Sequence, residues 1–158
     1  MTEFDSSAIN WQWVRYQDLS VEQLAEMFQL RQRVFIVEQD CPYLDIDGKD
    51  PDAIHLLAWY DGTLVATLRL FPQYKDYQNQ SSLGRICSHP DYRRFNIGRN
   101  LVQHGVDYID QHYADRNCQI GAQLYLKKFY ESFGFSQNSE PYDEDGIPHI
   151  LMVRPAGG

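Results

Sequence analysis

The stretch RRFNIGRNL, Arg93 to Leu101, places Arg93, Arg94 and Arg99 close together on an otherwise acidic chain. It lies between a strand-like and a helix-like segment, an order that aims free backbone N–H groups and the positive end of a helix at an anion. Each such contact is worth about 0.3–1 kcal/mol when exposed, so a diphosphate needs several amides and arginines acting together. Asn96 stands where such turns usually carry Gly. Asn is one of the few other residues that enters the left-handed backbone region, because its short amide bonds locally. The turn therefore tolerates it, with a side chain where Gly would let a ligand come closer. On charge alone, the same arginines also fit a solvated helix end.

Two acidic stretches, DIDGKDPD from Asp45 and DEDG from Asp143, are the other concentrations of chemistry. Neither has the register of a calcium loop: starting at Asp45 puts Asp50 where Gly is needed, and starting at Asp143 brings Gly146 too early. Attraction of a cationic amine and a solvated acidic edge are both open readings of Asp45, Asp47, Asp50, Asp143 and Asp145. His55, His89, His104, His112 and His149 offer no i, i+4 ligand pair. Cys41, Cys87 and Cys118 are odd in number and widely spaced, so reduced thiols and no metal are expected.

These residues must be carried by a single domain of 158 residues, with residues 1–10 and 155–158 expected to fray. A chain of this size buries roughly 70% of its unfolded surface, and 43% apolar residues supply a core. No apolar run is long enough to span a bilayer, and the polar start MTEFDSSAIN lacks the basic and apolar regions of a signal peptide. A cytoplasmic protein is expected. The net charge of −8 repels nucleic acid and anionic membranes, so neither is expected as a partner.

WQWVRY, from Trp11, reads as a strand, and Ser20 with Gln23 forms a capping box before a helix carried to about Ile36. AIHLLAWY and TLVATLRLF flank the turn Asp61-Gly62 and read as a hairpin. SLGRICS adds a strand. Ile97, Leu101, Gly105, Tyr108 and His112 then mark one face of a helix, and CQIGA a short buried strand. LYLKKFYESF reads as a helix stopped by Gly134, followed by strands near 137–142 and 149–153. The order predicts an α/β (α+β) fold, a mixed sheet of about seven strands with helices on both faces.

RRFNIG, from Arg93 to Gly98, resembles the Arg/Gln-x-x-Gly-x-Gly/Ala signature of the GNAT superfamily of acyl-CoA N-acyltransferases. LKKFYESFGF resembles that superfamily's other motif, a helix with Tyr before a Gly-Phe end. RVFIVEQDCPYLDIDGKD, GAQLYLKKFYESFGF and DEDGIPHI closely resemble the ElaA family of small bacterial GNAT proteins, whose pattern also lacks the first signature Gly. The resemblance implies a GNAT fold with a twisted, mostly antiparallel sheet, and acetyl-CoA as co-substrate. It implies that Phe95, Asn96, Ile97, Gly98 and Arg99 offer amides to the CoA pyrophosphate, helped by the side chains of Arg93 and Arg94. Ile86, Cys87 and Ser88 would pair with the pantetheine arm, aided by Gln123, and Tyr130 would be the general acid.

Acyl transfer needs a neutral amine, yet an alkylamine of pKa about 10.4 is only about one part in a thousand neutral at pH 7. A base is required, and Glu38, Asp47 and His149 are the candidates, from loops or strand starts expected near the substrate end of the sheet. The implied acceptor is a small-molecule amine or a protein lysine, and a homodimer is compatible with the sequence. Two rival readings remain. RQRVF, the Asp-rich loop and TLRL resemble acyl-homoserine lactone synthases of the same fold, and the arginine turn without a base would suit a non-catalytic acyl-CoA sensor.

Overall fold

The computed structural model describes residues 3–157. Ser20 caps α1 (Val21–Arg31): its hydroxyl accepts from Gln23 N, and the Gln23 side chain accepts from Ser20 N, completing the expected box. The helix then widens into a π-helical stretch, Gln32–Glu38, closed by i to i−5 bonds from Gln39 N to Val34 O and from Cys41 N to Ile36 O. The helical path thus runs past Ile36 with a different pitch.

The strands are β1 (Asn10–Arg15), β2 (Ile54–Tyr60), β3 (Thr63–Tyr74), β4 (Gln80–Ser88), β5 (Cys118–Gln123), β6 (Ser136–Gln137), β7 (Tyr142–Glu144) and β8 (Ile147–Arg154). Their order in the sheet is β1-β2-β3-β4-β5-β8-β6, with β7 also on β8. β4 and β5 are parallel, whereas β1 with β2 and β5, β6 and β7 with β8 are antiparallel. The result is an open, mostly antiparallel mixed sheet, and the expected final strands appear as three segments. Asp61 and Gly62, at φ 49° and 77°, make the primed turn expected between β2 and β3. Asp145 and Gly146, at φ 53° and 83°, repeat it between β7 and β8.

Two compact units arise along this chain, and β3, β4 and α2 (Ile97–His112) pass through both. The first comprises residues up to Arg69 with Arg85–Val102. Its core joins Val14, Met27, Leu30, Val34, Leu57, Leu64 and Cys87. The second comprises Leu70–Gly84 and residues from Gln103 onward, and buries Val106, Ile109, Ile120, Phe133, Phe135, Ile150 and Met152.

On α2 the buried stripe is Ile97, Leu101, Val102, Val106 and Ile109. It is rotated from the expected face: Tyr108 is half-buried and His112 exposed, because both rings carry polar atoms better left to water. The expected helix 124–133 is a 3-10 turn, Leu124–Leu126, followed by the short α3 (Lys127–Glu131), and Gly134 ends it at φ 94°. No described helix is long and apolar enough to cross a membrane.

Candidate functional site

In the first unit β4 ends at Ser88, and Pro90–Phe95 form a 3-10 turn in which the His89 ring accepts from Asp91 N at 3.2 Å. His89 N donates to the Val65 carbonyl at 2.7 Å, tying the turn to β3. Asn96 follows at φ 62°, ψ 19°, the left-handed conformation expected of it. Its carbonyl accepts from Asn100 N at 3.1 Å, which starts α2. Ile97, fully buried, fixes the first turn of α2 in the core. By helix geometry the leading amides of α2 have no intrahelical partner. A Cβ at Gly98 would meet nothing within 4 Å, so the backbone there faces open space.

Arg93 lies beside this turn and is already engaged. Its Nε and Nη2 donate to the Ser88 carbonyl at 3.3 and 3.2 Å, and its Nη1 and Nη2 grip both Glu38 oxygens. Those bonds hold the Glu38 carboxyl below its ordinary range, which makes it a weaker base. Glu38 therefore enters the site as the partner of Arg93. The Arg94 guanidinium sits 5.5 Å over the Phe95 ring, and Phe95 stacks on Phe4 at 4.1 Å. Phe4 also meets Tyr60 and Tyr92, so residues expected to fray brace the turn.

Cys87 is buried, and that burial pushes its thiol up to about 12, so it stays an unreactive neutral thiol at neutral pH. Ile86 and Ser88 flank it and are half-buried.

The acidic loop of this unit is matched by three arginines. Arg31 bonds Asp45 at 2.9 Å and Asp50 at 2.7 Å, while Arg69 bonds Asp47 at 2.8 Å and Asp50 at 3.2 Å. Arg85 Nε lies 2.7 Å from Asp45 Oδ1, and Arg85 holds φ 48° inside β4, a strained conformation secured by such pairing. Burial pushes the Asp47 carboxyl up, but bonds from Arg69 outweigh it and leave the carboxyl well below its usual range. Asp47 is thus a poor base, and Asp45, Asp47 and Asp50 spend their charge on guanidinium groups.

In the second unit, Tyr130 lies on α3 with its ring edge-on to Phe129 at 5.1 Å and Phe135 at 6.1 Å. Burial raises its hydroxyl well above the ordinary tyrosine value, so it remains a proton donor through neutral pH. Gln123 ends β5 and pairs with His149 on β8. His149 Nδ1 lies 2.7 Å from the Ile147 carbonyl, its Nε2 lies 3.1 Å from Glu144, and its ring stacks on Tyr142 at 5.9 Å. Among the described residues no group of His, Cys, Asp and Glu could hold a metal.

The first unit thus joins Glu38, Ser88 and Arg93, and the second joins Gln123 and His149. Sequence reasoning missed the arginine partners of the acidic loop and the Phe4 brace. Arg69 inside the apolar strand TLRLF, and Asp45 and Asp47 alternating along the loop, were the available signals.

Residues 16–155 match the family described as Acetyltransferase (GNAT) domain. Protein ElaA of Escherichia coli (strain K12) is 41% identical over 148 residues, covering 92% of this chain and 96% of that protein. The crystal structure of Escherichia coli ElaA is similar with a TM-score of 0.86 and 40% identity, covering 92% of this chain and 99% of that one. An acyl-CoA N-acyltransferase from Pseudomonas aeruginosa is similar with a TM-score of 0.88 and 36% identity, again covering 92% of this chain and 99% of that one.

Proposed function

The chain belongs to the GNAT acetyltransferase family, and on that premise we propose that it transfers an acetyl or other short acyl group from acyl-CoA to a primary amine, by direct attack in a ternary complex. The observation that carries this reading is the left-handed Asn96, which opens α2 toward the open space at Gly98. That geometry suits the CoA pyrophosphate: the amides from Phe95 to Arg99 and the cations Arg93 and Arg94 supply donors and charge. A diphosphate arriving at Arg93 would share or displace Glu38 there. Ile86, Cys87, Ser88 and Gln123 would hold the pantetheine arm by backbone and amide bonds.

In the reaction the amine nitrogen forms a bond to the thioester carbon and the C–S bond breaks. The amine proton leaves to a base, and the CoA thiolate takes a proton from Tyr130. His149 is the base of this reading, because Glu38 and Asp47 are both committed to arginines. Its ring is oriented by the Ile147 carbonyl and Glu144, the arrangement a proton acceptor needs.

The reading is tested by thermal melts with acetyl-CoA and longer acyl-CoAs. Ligand at 100 times its dissociation constant should stabilise the protein by about 2.7 kcal/mol. Arg93→Ala should reduce that shift, and an unchanged shift would remove Arg93 from the phosphate site. If no acyl-CoA moves the melt, the proposal fails; binding without turnover against an amine panel would make the protein a sensor.

Asn96→Gly separates two roles of the turn. Gly takes φ 62° without a Cβ penalty, so acyl-CoA affinity should hold within about twofold or rise. A tenfold loss measured by calorimetry would mean that the Asn side chain itself binds the ligand or locks the loop.

A further inference from the structure

Gly121 lies on β5, exposed to solvent, in register with Leu151 on β8. A Cβ built there would come within 3.1 Å of the Tyr77 hydroxyl and 3.2 Å of the Tyr142 hydroxyl. Two phenol oxygens from separate segments, the turn after β3 and the start of β7, therefore converge on one point that only glycine leaves open. Neither hydroxyl hydrogen-bonds another described residue. Each offers lone pairs, and a primary ammonium carries three N–H donors that can use both.

The surroundings select a cation. Tyr74 stands edge-on to Tyr77 at 4.9 Å, and Tyr142 stacks on His149, so aromatic faces wall the point. Burial, then Tyr142, Tyr74, Glu144 and Asp76, hold the Tyr77 hydroxyl above its ordinary value, and burial followed by Glu144 does the same for Tyr142. Every charge acting on the pair is thus acidic, which repels a carboxylate or phosphate and attracts an ammonium. Gln123 and His149 sit one step further along the same strands, with side chains on the same face as Gly121 by the two-residue period.

We propose that Tyr77, Tyr142 and Gly121 form a binding site for the ammonium end of a cationic alkylamine, with Glu144 and Asp76 supplying the attracting charge. The binding claim stands by itself; only the identification of the bound amine as the acyl acceptor rests on the acyltransfer reading. In that role Tyr77 and Tyr142 are positioning residues that set which amines are accepted.

The test is an NMR titration of the protein with butylammonium, and with butanol and butyrate as neutral and anionic probes of matched length. Butylammonium should shift the ring signals of Tyr77 and Tyr142 saturably. Tyr77→Phe and Tyr142→Phe, each deleting one acceptor, should weaken that binding by roughly three- to tenfold. Gly121→Ala should abolish it while circular dichroism stays unchanged, because the new methyl occupies the meeting point. Equal response to butanol or butyrate, or wild-type affinity in all three variants, would overturn the site. Loss of acyl-CoA binding in the melt would sink the acyltransfer reading without touching this titration. In a turnover assay, the Phe variants should raise KM for the amine while kcat holds.

Discussion

Replacing Arg31 by Ala is expected to lower the unfolding free energy by about 3–5 kcal/mol, the cost of breaking a buried pair by removing one partner. Arg31 is 1% exposed, and its two carboxylate partners, Asp45 and Asp50, are almost as deeply buried. Removing the guanidinium leaves both without their main donor, while Arg69 and Arg85 remain at the far side of the cluster. At about 2–4 °C per kcal/mol for a chain of this size, the melting temperature should fall by roughly 6–20 °C. A loss below about 1 kcal/mol in urea denaturation would contradict the assignment.

The same cluster sets the acid behaviour. Burial depresses His55, whose Nε2 faces the Asp50 carbonyl, and a depressed histidine contributes stability that fades as pH falls below its unfolded value of about 6.5. The Asp47 and Asp50 carboxyls are held low by their arginines against the opposing effect of burial. Their contribution is complete above about pH 4 and is lost as pH falls through the depressed values. Wild-type stability should therefore drop in two stages below neutrality, and Arg31→Ala should show a smaller second stage.

Tyr130→Phe is the other large effect, and it bears on rate rather than folding. The proposed mechanism makes the hydroxyl the donor to the leaving thiolate, a role worth about 10²–10⁴ in rate. Turnover should fall by at least about 10²-fold while acyl-CoA affinity, read by calorimetry, stays within about threefold. The ring remains to fill its place against Phe129 and Phe135, so the melt should change little. Because burial keeps the hydroxyl protonated beyond the ordinary tyrosine range, the wild-type rate should not decline between pH 8 and 10 for loss of this donor. Unchanged turnover in the variant would remove Tyr130 from the chemistry.

What the sequence by itself determined was local. The Ser20 and Gln23 cap, the Asp61-Gly62 turn and the left-handed Asn96 each depend on backbone preferences spanning a few residues, and all were legible from residue type and spacing. The family likewise rests on short motifs whose spacing survives in the chain.

Tertiary structure decided what those residues face. The acidic loop looked like an open attraction for an amine until α1, β3 and β4 brought Arg31, Arg69 and Arg85 against it. Glu38 changed from a candidate base to the partner of Arg93, across 55 positions of chain. Tyr77 and Tyr142 gained a shared purpose only where β5 presents a bare Gly121 between them. Side chains far apart in sequence acquire their charge state and their partners from burial and from distances of a few ångströms. Both are set by how the segments close on one another, which no local pattern encodes.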